Sequence, residues 1–374
     1  MSGIYIHIPF CSKACHYCDF HFSTLLNGKT EMVNAIAQEI AIAKDYFKGE
    51  KVSTIYFGGG TPSLLNRVEL SIILKAVFKN FSIEKNAEIT LEANPDDLTK
   101  EKLLELKDAG INRLSIGIQS FHQKHLEFFN RSHTAIQAIS ALKNAKEVGF
   151  TNISVDLIYG FNDLTDEDLR FNLNQITEFD IPHVSAYALT VEPKTALSKF
   201  IKKGMVEPPS ESLAKKQFKQ IADFLIEKGF NHYEISNFGK PNFLSQHNSS
   251  YWKNKNYLGV GPSAHSFNGK SRFWNISNNP QYIKLIKEEK PTYQKEELSE
   301  QNRFNELVMI GLRTDWGIEK ENLKKFNSKI IKQFNNDLKK HLSQQKIIET
   351  ETSFVLHKKY WFLADGIASS LFQV

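Results

Sequence analysis

Cys11, Cys15 and Cys18 are the chain's three cysteines and fall within one eight-residue stretch. Thiolates spaced C-x3-C-x2-C select soft or borderline metals, chiefly zinc or iron–sulfur clusters. A structural zinc takes four ligands, so a zinc reading needs His7, His16 or His21 as the fourth. A [4Fe–4S] cluster takes one thiolate per iron, and three thiolates would leave one iron open to a ligand from outside the protein. An odd cysteine count at this spacing is a poor disulfide framework and suits a reducing compartment. Ser12, Lys13 and His16 make the loop polar, unlike the setting of an inert buried thiol.

Other polar residues recur in corresponding places. Gly58-Gly59-Gly60-Thr61-Pro62 follows one apolar run, Glu92-Ala93-Asn94-Pro95 a second, and Gly117-Ile118-Gln119-Ser120 a third, with Arg131 in the loop beyond. Taken singly, each reads as a turn or a solvated loop. Asp156 is different: a carboxylate inside an apolar strand needs a partner. If these segments follow successive parallel strands, carboxylates, an amide and a guanidinium converge on the face bearing the cysteines. Such a pocket suits a zwitterionic nucleoside.

The elements required to bring them together are legible. Ile4–Ile8, Val52–Phe57, Glu88–Ala93, Arg113–Ile118, Ile153–Ile158 and His183–Leu189 read as strands. Helical patterns lie between them, one ending at Gly110 and another at Gly149. Six βα units in order predict an α/β fold, a parallel sheet covered by helices, short of the eight units of a complete barrel. After residue 230 the pattern changes. A polar, aromatic connecting segment over 231–280 precedes an α+β region over 281–374, whose helices and short strands at Ile347–Glu349, Ser353–Leu356 and Trp361–Leu363 suggest a winged helix. The expected division is 1–230, 231–280 and 281–374.

Composition narrows the function classes. The 374 residues carry a net charge of +5, too mild by itself to imply a polyanionic partner. No apolar run approaches the roughly 18 residues of a membrane span, and residues 1–10 lack signal-peptide character, so a cytoplasmic protein is expected. Between Gly317 and Lys346 eight lysines face three acidic residues. That run reads as a solvated helix face, and nucleic acid is not an expected partner.

Cys11-Ser12-Lys13-Ala14-Cys15-His16-Tyr17-Cys18 resembles the signature of the radical S-adenosylmethionine (SAM) superfamily. Tyr5-Ile6-His7-Ile8-Pro9-Phe10-Cys11 resembles the subgroup of oxygen-independent coproporphyrinogen III oxidase and its relatives, and the likeness extends over nearly the whole chain. The resemblance implies a partial (β/α)6 barrel in which Cys11, Cys15 and Cys18 hold a [4Fe–4S] cluster, with Tyr17 packed beside it. By the same resemblance, Gly59, Gly60 and Thr61 meet the methionyl amino group of SAM, with Glu92 as a second contact. Gln119 and Asp156 match ribose-side positions, Arg131 the partner of the SAM carboxylate, and Tyr5 a substrate-side or SAM-side contact.

Two features set the chain apart from the oxidase itself. Phe20 stands where that enzyme carries a further cysteine, and only Met1–Ile4 precede Tyr5. These features and His247-Asn248-Ser249-Ser250-Tyr251-Trp252 resemble the haem-chaperone relatives of the oxidase. The implied activity is therefore haem binding and delivery, with oxidative decarboxylation of coproporphyrinogen III as the alternative. Haem becomes an expected cofactor, His247 an expected imidazole ligand, Tyr251 and Trp252 covers for a porphyrin face, and His265 a second histidine candidate. Expected partners are haem-accepting proteins, membrane-associated ones included, an electron donor if SAM is cleaved, and a second copy of the chain.

Overall fold

The computed structural model describes residues 2–373. Strands and helices alternate first: β1 (Ser2–Ile8), α1 (Lys29–Ile42), β2 (Val52–Gly59), α2 (Arg67–Asn80), β3 (Ile83–Ala93), α3 (Lys100–Asp108), β4 (Arg113–Gln119), α4 (Gln123–Phe128), α5 (Ala135–Val148), β5 (Ile153–Tyr159), α6 (Asp166–Glu178) and β6 (His183–Ala188). Next come α7 (Ala196–Lys202), α8 (Glu211–Glu227), β7 (Asn231–Glu234), β8 (Asn237–Gly239), α9 (Gln246–Trp252), β9 (Tyr257–Val260), β10 (His265–Phe267), β11 (Ser271–Asn275), α10 (Asn279–Lys287) and β12 (Tyr293–Glu297). The chain closes with α11 (Glu300–Leu312), β13 (Ile318–Glu319), α12 (Lys320–Leu323), α13 (Ser328–Ser343), β14 (Ile347–Glu349), β15 (Ser353–Leu356) and α14 (Ala364–Ser369).

β1 to β6 pair in chain order and all parallel, the α/β arrangement expected. The sheet continues past both edges of that set, in the order β12-β11-β10-β9-β1-β2-β3-β4-β5-β6-β8-β7. β9 joins β1 in parallel, β10 to β12 form an antiparallel meander beyond it, and β7–β8 pair antiparallel at the far edge. At the C-terminus, β13, β15 and β14 form a small antiparallel sheet. Trp361–Leu363, expected as a strand, instead lie in a 3₁₀ segment over Lys358–Leu363. The reason is local: buried Trp361 donates its indole N–H to Leu356 O at 3.0 Å, which turns the chain back over β15.

Side-chain alternation explains why this sheet carries a site. Successive strand residues point to opposite faces. Ile4, Ile6, Ile8, Ile55, Phe57, Leu91, Leu114, Ile116, Val155, Leu157 and Val184 make one apolar set, buried in a continuous core with Met32, Ile36, Ile73 and Leu142 of the covering helices. Burying such a set is the main stabilising term, at about 25 cal/mol per Å². The intervening positions are polar: Tyr5 and His7, Thr54 and Tyr56, Glu88 and Glu92, Arg113 and Ser115, Ser154 and Asp156, His183 and Ser185. Register sets them side by side, Tyr5 opposite Tyr56, Glu92 opposite Ser115, and Asp156 opposite Ser185. The helices start sharply. Asn66 with Glu69, and Thr134 with Gln137, form reciprocal caps at α2 and α5.

Candidate functional site

β1 ends at Ile8, before Pro9, and the next residues form a loop held by backbone bonds. Cys11 N–H donates to Ser23 O at 3.0 Å, Ser23 N–H to Pro9 O at 2.9 Å, and His16 N–H to Phe129 O at 3.0 Å. The three thiols are half-buried, free of disulfides, and line one cavity of about 510 Å³. Donors are aimed at two of them: the Thr61 hydroxyl lies 3.4 Å from Cys11 Sγ, and Arg131 Nη1 lies 3.4 Å from Cys15 Sγ. Such donors favour thiolate over thiol. Burial acts the other way, pushing the Cys11 thiol up and the Cys18 thiol up to about 12. Metal binding must therefore displace protons here.

The residues fit a cluster better than a single ion. None of the histidines able to complete a zinc set lines the cavity that the thiols line: His7 has Nε2 on His21 O at 2.8 Å, His16 Nδ1 on Phe128 O at 2.8 Å, and His21 Nε2 on Asn279 Oδ1 at 2.7 Å. Among the described residues no three of His, Cys, Asp or Glu gather as ligands of one ion. Three thiols spread along one cavity wall, with donors behind them, match a multi-iron centre.

Across the cavity, the strand ends bring together the other expected residues. Glu92 is half-buried, accepting the Tyr56 hydroxyl at 2.8 Å and the Gly59 N–H at 3.2 Å. Burial outweighs these donors and raises its carboxyl to about 7. Asp156 is half-buried beside Ser115, whose hydroxyl lies 3.3 Å away, and desolvation raises its carboxyl to about 6. Arg131 Nη2 donates to Asn94 Oδ1 at 2.7 Å and to Gly117 O at 2.8 Å, while its buried Nε has no partner among the described residues. That orphaned donor suits an anionic ligand. Tyr17 packs edge-on against Phe129 at 5.3 Å, its hydroxyl 3.5 Å from Arg131 Nη1. Gln119 lines the same cavity from a left-handed conformation, φ 63°.

The glycines are there for close approach. A Cβ on Gly60 would stand 2.5 Å from Phe10 O and 2.8 Å from Ile8 O. Gly59 has φ +104°, and a Cβ there would strike the His7 ring at 2.5 Å. The glycine run thus presses against the start of the cysteine loop, fixing one wall of the cavity relative to the other.

A second cavity of about 550 Å³ adjoins the first, and Asp19, Phe20, Gly59 and Glu92 line both. Its other walls include Tyr5, Tyr251, Trp252, Tyr257, His265 and Phe267. The Tyr5 hydroxyl lies 3.3 Å from His7 Nδ1. His247, on α9, is buried behind this cavity rather than in it. Its Nδ1 lies 2.8 Å from the Thr54 hydroxyl and its Nε2 2.8 Å from the Tyr251 hydroxyl. Its ring stacks on Tyr56 at 4.9 Å, and burial with nearby Arg113 lowers its pKa to about 3. In this conformation both nitrogens of His247 are engaged.

Sequence reasoning missed several supporting residues. Tyr56, Thr54, Ser115 and Ser185 sit in strands where hydroxyls read as ordinary pleat residues, and only period-two alternation marks them. Glu88 is a further case: its carboxylate accepts the N–H groups of Gln246 and His247 at 3.1 and 3.0 Å, capping α9, and lies 3.9 Å from buried Arg113.

Comparison with known proteins agrees with this geometry. Residues 5–175 match the family model of the radical SAM superfamily. The chain is 35% identical to the haem chaperone HemW of Lactococcus lactis, covering 98% of each chain. It is 34% identical to HemW of Bacillus subtilis, over 95% of this chain and 94% of that one. Among solved structures, the radical SAM coproporphyrinogen III oxidase HemN of Escherichia coli superposes with a TM-score of 0.86 at 25% identity, over 100% of this chain and 90% of the other.

Proposed function

The chain belongs to the HemW family of the radical SAM superfamily, and from that premise we propose that it binds haem beside a SAM-ligated [4Fe–4S] cluster and passes haem to acceptor proteins. The observation that carries this reading is the pair of adjoining cavities, one lined by thiols and polar strand ends, the other by aromatic rings, with Gly59, Glu92 and Phe20 common to both. A flat apolar ring with charged edges is the kind of ligand the second cavity suits.

Cys11, Cys15 and Cys18 would hold the cluster, which when bound supplies an open iron for SAM. Around it the chain's own groups orient and shield. The Gly59–Thr61 backbone and Glu92 would meet the SAM amino group, the orphaned edge of Arg131 its carboxylate, and Gln119 and Asp156 the ribose hydroxyls. Glu92, titrating near 7, can hold or release a proton at the boundary between the cavities. Tyr17 and Phe129 exclude water from the thiol wall. His247 and Tyr251 hold α9 in place behind the aromatic cavity. Among the described residues no helix is long and apolar enough to cross a membrane. We place the protein in the cytoplasm, with membrane-associated acceptors among its partners, an electron donor where SAM is cleaved, and pairing with a second copy.

The test is anaerobic reconstitution followed by haemin titration and transfer to a haem-depleted acceptor. Haem uptake and acceptor loading support the proposal; no uptake by the cluster-loaded chain refutes it. The likeness to HemN favours one second reading, oxidative decarboxylation of coproporphyrinogen III. Conversion to protoporphyrinogen in the same reconstituted sample, with stoichiometric 5′-deoxyadenosine, would establish it.

A further inference from the structure

A bound haem needs a ligand for its iron, and the aromatic cavity offers a restricted choice of imidazoles. His7 has Nε2 on His21 O and Nδ1 3.3 Å from the Tyr5 hydroxyl. His21 has Nε2 on Asn279 Oδ1. His247 has both nitrogens engaged, and lies behind the wall. His265 differs from all three. Its side chain is exposed, it lines the cavity, and among the described residues neither ring nitrogen has a hydrogen-bond partner.

The backbone around His265 is held firmly. It opens β10, paired with Trp274 of β11, and its ring lies 6.3 Å from the Trp274 ring at 27°. A Cβ on Gly259 would fall 2.0 Å from His265 O, so only glycine lets β9 lie this close. Gly259 N–H donates to Ser266 Oγ at 2.8 Å, and Gly261 and Ser263 turn the chain with positive φ. The Gly259–His265 segment is thus a rigid mount for one imidazole.

Two cations share the cavity with this ring. Lys255 lines it, and Arg272 stands over the Phe267 ring at 5.5 Å, with Nε donating to Glu306 at 2.9 Å. Together they match an amphiphilic ring with an iron at its centre and two carboxylates at its edge. Resting on the haem reading above, we propose that His265 is the axial nitrogen ligand of the bound iron, with Lys255 and Arg272 meeting the propionates. The neutral imidazole donates a lone pair and replaces a water or other weak ligand; no electron is transferred.

The experiment titrates haemin into the full, cluster-reconstituted chain, reading Soret absorption and the ferric spin state by electron paramagnetic resonance. For His265→Ala we expect about a tenfold or greater loss of affinity and loss of the imidazole-type spectrum, restored by free imidazole. Equal affinity and an unchanged spectrum in His265→Ala, with wild type binding haem, overturn the ligand assignment and leave the haem reading standing. So does loss of that signature in His247→Ala with its retention in His265→Ala. Failure of wild type to bind haem ends both. Circular dichroism and iron–sulfur content monitor the fold; if His265→Ala does not fold, His265→Met must replace the imidazole signature with a thioether one, and its persistence counts against the assignment.

Discussion

The hydroxyl of Tyr56 donates to the carboxylate of Glu92 at 2.8 Å across the β2–β3 pairing. Glu92 lines both cavities, so one carboxyl borders the thiol cavity and the aromatic cavity together. Tyr56 also stacks on His247 at 4.9 Å. The contact thus links the strand ends to α9 and gives the two cavities a shared polar floor.

Glu92 should make the ligand-free protein less stable as pH rises. Its carboxyl is raised from 4.5 to about 7, chiefly by burial. Between those values the unfolded chain ionises there and the folded chain does not. The contribution is full below 4.5, is lost as pH climbs through 7, and amounts to about 3 kcal/mol. Asp156, raised to about 6, acts in the same direction. Glu92→Gln should therefore have a higher Tm than wild type at pH 8, with the gap closing near pH 5, while binding SAM more weakly. Parallel Tm-versus-pH curves for the two proteins would refute the account.

Arg131→Lys should separate ligand binding from folding. A guanidinium reaches Asn94, Gly117 O and Cys15 Sγ at once; an ammonium on a single stem cannot. We expect about a tenfold or larger drop in SAM affinity from the lost charge-assisted contact, with the cluster still assembled. Calorimetric titration of SAM and iron analysis of the same sample decide the matter. Unchanged SAM affinity would remove Arg131 from the site.

What could be read from the chain alone follows from how each element is stabilised. β1 to β6 carry long alternating or apolar runs because they are buried nearly throughout their length, so their pattern is local. β12, Tyr293–Glu297, is exposed throughout and exists because β11 pairs with it; its residues alone read as loop. The cysteines, Glu92 and Gln119 were legible because they follow or end successive strands, Arg131 because it lies in the loop beyond one, and Asp156 because a carboxylate inside an apolar strand stands out; all of them line one cavity. Thr54 was not, since nothing in its neighbourhood signals a histidine 193 positions away. His247 was recognisable as a motif, but its burial with both nitrogens engaged depends on the fold.

Gly60→Ala should break the wall between the glycine run and the cysteine loop. The added Cβ meets backbone oxygens of Phe10 and Ile8 inside 2.8 Å, and backbone cannot swing away as a side chain would. The Gly60 N–H bond to Ile8 O and the Thr61 N–H bond to Phe10 O would be strained together. A cost of about 2–4 kcal/mol is expected, along with poor cluster loading. Denaturant unfolding and iron content measure both. A wild-type midpoint would show that the loop accommodates the methyl.

Phe20 is 69% exposed although it lines both cavities. Covering part of that ring with a haem face would contribute about 1–2 kcal/mol. Phe20→Ala should weaken haem binding roughly tenfold, leaving Tm and SAM affinity near wild type. Equal haem affinity in the two proteins would place the haem elsewhere.

Thr54 and His247 should behave as one unit in stability. The Thr54 hydroxyl and His247 Nδ1 lie 2.8 Å apart, both buried, and Nε2 is taken by Tyr251. Thr54→Val leaves a buried ring nitrogen without a partner, a loss of about 1–3 kcal/mol. His247→Phe leaves two hydroxyls unpaired instead. In the double variant the first loss is already present in the second, so the combined effect should fall short of the sum by about 1 kcal/mol. Burial also lowers the His247 pKa from 6.5 to about 3. Its contribution is full above 6.5 and is lost as the unfolded chain takes up the proton at falling pH, about 2 kcal/mol by pH 5. His247→Phe should flatten that acid slope, which other buried histidines share. Additive losses in the cycle with an unchanged acid slope would mean that His247 is held by stacking alone.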